Sequence, residues 1–284
     1  MRLGAHVSAA GELWSAGPNG KALGCEVIQI FSRSPQGGKA KPITDEDAEK
    51  FKQSMKESGI KDVYIHSPYF INLASSQARI KHGSINVLRE ELERGSKLGC
   101  RAMMFHPGSA RDVGRKKGVE MVIESLNSIM DGYKGTCQLL IEIAAGAGEI
   151  MGDEFEEIAL FLHGAERGDE IGVCFDTQHA FASGYDLRTK EALYDTIKQF
   201  DKIVGLKKMI ASHCNDSKVD LGAKRDRHEH LGKGHIGIEA FRHFVQHPKL
   251  QHIDLILETP FTKEGGDDDP RLEDMMLLKK FRKK

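Results

Sequence analysis

Eight short apolar segments of strand length recur along the 284-residue chain, each separated from the next by enough sequence for a helix. They are RLGAHVS from Arg2, GCEVIQIFS from Gly24, DVYIHS from Asp62, CRAMMFHP from Cys100, CQLLIEI from Cys137, IGVCFDT from Ile171, MIASHCN from Met209 and IDLILET from Ile253. Each is rich in β-branched or large apolar residues, as strands are. Several intervening stretches are amphipathic; in one of them Ile85, Leu88, Leu92 and Leu98 share a face and charges fill the other. Strand and helix alternating eight times predict an α/β fold, a (β/α)8 TIM barrel forming a single domain over residues 1–284. A doubly wound open sheet would carry a Gly-rich phosphate loop after an early strand, and neither G-x-G-x-x-G nor a Walker pattern occurs. The last helix is expected to open at Asp269, a cap residue, with Pro270 at its first position. Asp267, Asp268 and Asp269 read as a solvated loop leading into it.

Composition narrows the function classes. A net charge of -1 and 39% hydrophobic residues describe an ordinary soluble protein without the overall basicity of many nucleic-acid binders, so any DNA contact has to come from local patches. No apolar run approaches the roughly 20 residues that span a bilayer, and MRLGAHVS lacks the pattern of a signal peptide. The expected location is the cytoplasm, in association with the nucleoid. Five cysteines, an odd number with no C-x-x-C pair, read as reduced thiols.

Potential metal ligands fall near the C-terminal ends of six successive segments: His66, His106, Glu142, Asp176, His213 and Glu258. In a barrel of this class that end carries the active site. Side chains alternate along a strand, so His106 shares a face with Met104, Glu142 with Leu140, Asp176 with Cys174, and Glu258 with Ile256. DTQH adds His179, and DRH adds Asp226 and His228, giving nine candidates: five His, two Asp and two Glu. A lone histidine at a strand end is more often a hydrogen-bonded structural residue than a ligand, but buried carboxylates without a cation carry a desolvation cost of several kcal/mol. Nine such groups at one end of one barrel call for cations. Mixed imidazole and carboxylate suit zinc, with manganese as a substitute, better than calcium or magnesium. His82, His163, His243, His247 and His252 are assigned to the surface, His6 to the pocket without a metal role, and His230 to the non-ligands. Cys214, adjoining His213, is expected to face outward, and Cys174 inward but one layer deeper.

At these residues the chain resembles the endonuclease IV family of abasic-site nucleases, from GAHVSAAG at Gly4 to ILET at Glu258. The matching motifs are IHSPYFINLAS, FHPGS, IE with AAGAG, GVCFDTQHAFASGYDLRT, SHCNDSK and DRHEHLGKGHIG. The resemblance implies three zinc ions: one on His66 and His106, one on Asp176, His213 and Glu258 with Glu142 bridging the two, and one on His179, Asp226 and His228. It implies cleavage 5′ to abasic sites in duplex DNA, leaving a 3′-hydroxyl and a 5′-deoxyribose phosphate, with trimming of blocked 3′ ends. Zinc lowers the pKa of bound water to about 7, so no protein nucleophile is required. Glu142 and Glu258 are the implied catalytic carboxylates.

Tyr69 and Phe70 match family positions that push into the duplex at the lesion. In FSRSPQGGKAKP the family usually has an arginine and a tryptophan close to Gln36 and Gly38, so Arg33, Lys39 or Lys41 is expected to meet phosphate instead. Ile143 and Ala144 stand where the family commonly shows Asn and Thr. Loop cations Arg111, Arg115, Lys116, Lys117, Lys218, Lys224, Arg225, Arg227 and Lys233 are expected to supply the field for DNA, with Arg227 a direct contact. The protein is expected to be a monomer. The rival readings are a divalent-metal sugar isomerase or epimerase of the xylose-isomerase-like barrels, whose one- or two-metal sites need fewer ligands, and a barrel that binds DNA without cutting.

Overall fold

The computed structural model describes residues 1–261 and 269–283. Eight parallel strands close into a barrel: β1 (Leu3–His6), β2 (Val27–Ile30), β3 (Asp62–His66), β4 (Ala102–Phe105), β5 (Gln138–Glu142), β6 (Gly172–Cys174), β7 (Met209–His213) and β10 (Asp254–Leu257). All eight lie within the apolar segments read from the sequence. Closure comes from β1, which pairs with β2 on one side (Gly4 with Val27) and with β10 on the other (Leu3 with Leu255). Gly4 permits that approach, because a Cβ there would overlap the Val27 carbonyl. A two-stranded antiparallel hairpin, β8 (Asp216–Ser217) with β9 (His228–Glu229), stands on the loop after β7.

Period-two alternation splits the apolar residues into two layers. Val27, Tyr64, Ala102, Met104, Leu140, Cys174, Ala211 and Ile256 fill the barrel interior. The intervening residues of the same strands, including Ile28, Ile65, Met103, Ile141 and Leu255, pack outward against the helices. Cys214 belongs to this outer layer and Cys174 to the inner one, as expected. The helices have local start and stop signals. In α2 (Asp45–Ser58), the Thr44 and Asp47 side chains each accept from the other's backbone amide at 3.0 Å, a capping box, and Gly59 at φ 77° ends the helix. The 21-residue α3 (Ala78–Leu98) ends likewise at Gly99, φ 75°.

At the N-terminal end of the barrel, Arg2 bonds Asp254 at 2.9 and 2.7 Å, and the Tyr64 hydroxyl donates to the same carboxylate at 2.6 Å. This polar plug closes the face opposite the candidate site. Two expectations require correction. His247 is buried: it caps the short turn after α8 (Ile238–Val245), accepting from the Lys249 amide at 3.3 Å, with its ring 4.3 Å from that of Tyr194. Asp269 is also buried, because its carboxylate accepts from the Arg271 amide and guanidinium at 2.6–3.0 Å. The expected start is shifted by one residue: Pro270 (φ -64°, ψ -17°) is itself the N-cap of α9 (Arg271–Arg282), and Asp269 stands just ahead of it. Asp267 and Asp268 lie outside the described residues.

Candidate metal centre

Strand ends and the first turns beyond them bring all nine candidate ligands to one mouth. His66, Glu142 and His213 are the last residues of β3, β5 and β7; His106 and Glu258 follow β4 and β10 directly. Asp176 caps α6 (Thr177–Ser183), accepting from the His179 amide at 2.9 Å, so this short helix carries His179 over the same mouth. His228 opens β9 and Asp226 comes from the hairpin loop. Its return path is held by Asp216, buried, whose carboxylate accepts from the amides of Gly232, Gly234 and Ile236 at 2.9–3.1 Å.

The donor atoms form three groups that share members. In the first, the Glu142 Oε2 lies 3.1 Å from His66 Nε2 and 3.5 Å from His106 Nε2. In the second, the Glu142 Oε1 lies 2.8 Å from His213 Nδ1, which is also 3.1 Å from Glu258 Oε2 and 3.6 Å from Asp176 Oδ2. Glu142 thus gives one oxygen to each group. In the third, His179 Nε2, His228 Nε2 and Asp226 Oδ1 make a triangle with sides of 3.3, 3.3 and 3.4 Å. Asp176 lies between the second and third, 3.6 Å from His228 Nε2. A tetrahedral ion with bonds of about 2.0–2.1 Å holds its donors about 3.3 Å apart. The third triangle already has that spacing.

Electrostatics fit a cation site. Burial alone would push the Glu142 carboxyl up, but His106, His213 and a hydrogen bond from His179 outweigh it and hold the group well below the ordinary carboxylate range. Glu258 and Asp226 are treated alike: burial raises them, and neighbouring imidazoles, His213 for one and His179 for the other, bring them far down. Burial opposes the charging of His179 and His213 too, yet their carboxylate neighbours raise both well above the ordinary imidazole value. Each of these carboxylates faces an imidazole nitrogen. The mouth opens into a cavity of about 670 Å³ lined by His66, His106, His179, Asp226, His228 and Glu258.

Sequence reasoning missed Gln29. It is fully buried in β2, accepts from His213 Nε2 at 2.7 Å through Oε1, and donates through Nε2 to Glu258 at 2.5 Å. The available signal was a polar residue two positions after inward-facing Val27 in an otherwise apolar strand. Asn215 was missed as well; it donates to Asp176 at 2.9 Å and accepts from the Glu258 amide at 2.8 Å. His6 lines the cavity, bonded to Gln29 at 2.9 Å, and His230 turns away to Asp274 at 2.7 Å.

Around the mouth, Tyr69 is 70% and Phe70 42% exposed. Tyr69 stands edge-on to Phe31, ring centroids 5.3 Å apart. Lys39 and Arg227 are exposed, and Arg227 lines the cavity. Arg33 is a correction. Its side chain is 4% exposed and its guanidinium lies 2.6 Å from both Glu90 and Glu91, so it anchors the loop to α3 and is not available to phosphate. Arg115 is similarly taken up by Asp153 and Glu157, and Lys117, Lys224 and Lys233 each have a carboxylate within 3.2 Å. The field of the loop cations is therefore weaker than their number implied.

Comparison with known proteins agrees with this architecture. Residues 19–281 match the family model described as the xylose isomerase-like TIM barrel. A protein of Halothermothrix orenii named probable endonuclease 4 is 38% identical over 97% of this chain and 99% of its own. One of the same name from Trichlorobacter lovleyi is 38% identical over 94% of each. The crystal structure of endonuclease IV from Thermus thermophilus superposes with a TM-score of 0.83 at 33% identity, covering 99% of this chain and 98% of that one. A D-tagatose 3-epimerase-like protein, with a TM-score of 0.72 at 16% identity and coverage of 99% and 97%, shares the fold. With all nine candidate ligands of the sequence motifs gathered at one barrel mouth, and with relatives of this identity along almost its whole length, the chain belongs to the endonuclease IV family.

Proposed function

We propose that this protein is a DNA-repair endonuclease that hydrolyses the phosphodiester bond 5′ to abasic sites in duplex DNA, leaving a 3′-hydroxyl and a 5′-deoxyribose phosphate, and that it also trims blocked 3′ ends. The observation that carries the reading is the division of the Glu142 carboxylate, one oxygen facing His66 and His106 and the other facing His213. A buried carboxylate placed in this way suits a bridge between two cations, and the His179, His228 and Asp226 triangle suits a third. Bound zinc would supply Lewis acidity and activated water near neutral pH. Manganese is the expected substitute.

The chain's own residues then have separable tasks. Glu142 and Glu258 are the catalytic carboxylates, setting the charge and spacing of the first two positions. Gln29 fixes the tautomer of His213 by accepting a hydrogen bond from its Nε2–H, so that Nδ1 faces the carboxylates. His179, Asp226 and His228 sit on the outer side of the mouth, where a leaving oxygen would be met. Tyr69 and Phe70 form the apolar wedge, and Lys39 and Arg227 hold backbone phosphate. The enzyme acts as a monomer in the cytoplasm, at the nucleoid; no helix among the described residues is long and apolar enough to cross a membrane.

The sugar-epimerase reading shares the barrel but has no use for three donor groups. Two measurements on purified protein test the choice: metal content, and nicking of a duplex bearing one abasic analogue beside an aldose–ketose interconversion assay. Close to three zinc equivalents and nicking without added magnesium are expected. One metal per chain, or interconversion without nicking, would refute the proposal.

A further inference from the structure

The five ligand histidines differ in what holds their second ring nitrogen. His66 Nδ1 donates to the Ser67 carbonyl at 2.7 Å, His179 Nδ1 to the Ile143 carbonyl at 3.0 Å, and His228 Nδ1 to the Glu258 carbonyl at 3.3 Å. His213 donates from Nε2 to Gln29 at 2.7 Å. His106 stands apart: its Nε2 faces Glu142, while its Nδ1 is buried and has no hydrogen-bond partner among the described residues. The ring borders a cavity of about 190 Å³ lined by Ile71, Ala144, Ala147 and Ile150 together with Ser67, Tyr69 and Asp226, and no oxygen of these makes a hydrogen bond to that nitrogen.

An acceptor on the distal nitrogen of a ligating histidine fixes its tautomer, holds the ring in place and raises its basicity; losing such a partner typically weakens metal binding by about 10- to 100-fold. The His66 and His106 position has a further disadvantage. Its one carboxylate is Glu142, shared with the second position, whereas the second has Asp176 and Glu258 as well. The His106 side chain is also the most exposed of the five imidazoles, at 27% against 0–16%.

We propose that the position built from His66, His106 and Glu142 is the exchangeable one, releasing its ion first and retaking it from the medium while the other two positions stay filled. This rests on the three-ion reading above and assigns an order of release within it. Metal supply would then set activity through one position, with no loss of fold.

The test follows zinc per chain by elemental mass spectrometry as the holoenzyme is exposed to EDTA. One equivalent is expected to leave at least about 10-fold faster than the other two, giving a two-zinc plateau with unchanged circular dichroism. His106→Ala should lack that equivalent and the fast phase, and Asp226→Ala should keep the fast phase. Gln29→Leu, which takes the acceptor from His213, should make a second equivalent fast; its circular dichroism checks that the barrel persists. Three equivalents leaving at one rate, or a fast phase that survives in His106→Ala and vanishes in Asp226→Ala, would overturn the order of release alone. A protein that takes up no more than one zinc on reconstitution would overturn the three-ion reading and this inference with it.

Discussion

Replacing Glu142 with glutamine keeps the side chain's volume and one acceptor oxygen but removes a negative charge at a fully buried point. In the wild type, Oε1 lies 2.8 Å from His213 Nδ1 and Oε2 3.1 Å from His66 Nε2. An amide cannot serve both sides. Whichever way it turns, one of the two positions meets an NH2 group where it had an anionic oxygen. Removing one partner from a buried charge pair costs roughly 3–5 kcal/mol. At about 1.4 kcal/mol per decade, that is a loss of roughly 10²- to 4 × 10³-fold in affinity at the position left facing the amide, with a smaller loss at the other. We expect Glu142→Gln to carry fewer than two zinc equivalents after extensive dialysis, to nick abasic duplex at least about 10³-fold more slowly, and to keep its circular dichroism and its binding to the same duplex. Cys214→Ser is the comparison, because Cys214 adjoins the candidate ligand His213 but points into the outer apolar layer. It should keep all its zinc and lose only stability, roughly 1–3 kcal/mol for an uncompensated buried hydroxyl. Elemental mass spectrometry and the nicking assay on both variants decide the matter. An active Glu142→Gln enzyme with full zinc, or a Cys214→Ser enzyme that loses zinc, would refute the assignment of inward and outward faces.

Three further outcomes are expected. Tyr69→Ala with Phe70→Ala should weaken binding to abasic duplex by at least about 10-fold, on the scale of one or two lost stacking contacts, with zinc content unchanged; wild-type binding would make both residues rim packing. Tyr64→Phe should cost about 1.5–3 kcal/mol in urea unfolding, because the hydroxyl bonds a buried carboxylate, Asp254, at the end of the barrel away from the metals; nicking by the folded enzyme should not change. Burial pushes the thiols of Cys25 and Cys137 up to about 12 and that of Cys174 up to about 11. Unfolded thiols ionise near pH 8.5 and these do so only far above it, so the unfolded state binds fewer protons between those values. Stability should therefore fall as pH rises from about 8.5, by up to about 1.4 kcal/mol per pH unit for each thiol, and Cys25→Ala should flatten the slope measured by urea unfolding at pH 8 and 10. An unchanged slope would show that Cys25 ionises normally in the folded chain.

The sequence by itself determined whatever depends on local periodicity. The length and spacing of the apolar segments specify eight strands, and the period of two places Glu142 above Leu140 and Glu258 above Ile256, because a one-residue slip would reverse every face. The outward turn of Cys214 follows from the same local rule. Only the tertiary structure decided which side chains far apart in the chain meet. Arg33 reads as a free loop cation until α3 brings Glu90 and Glu91 to it, 57 and 58 residues later in the sequence. Gln29 reads as an oddity in an apolar strand until barrel closure sets it against His213, 184 residues away. His247 reads as a surface residue until the chain turns back over α7 (Lys190–Ile203) and lays its ring against Tyr194. The gathering of the nine candidate ligands into three donor groups, and the lack of a hydrogen-bond partner for His106 Nδ1 among the described residues, belong to the same class. Periodicity constrains the direction in which a side chain points, and closure of the barrel determines what it finds there.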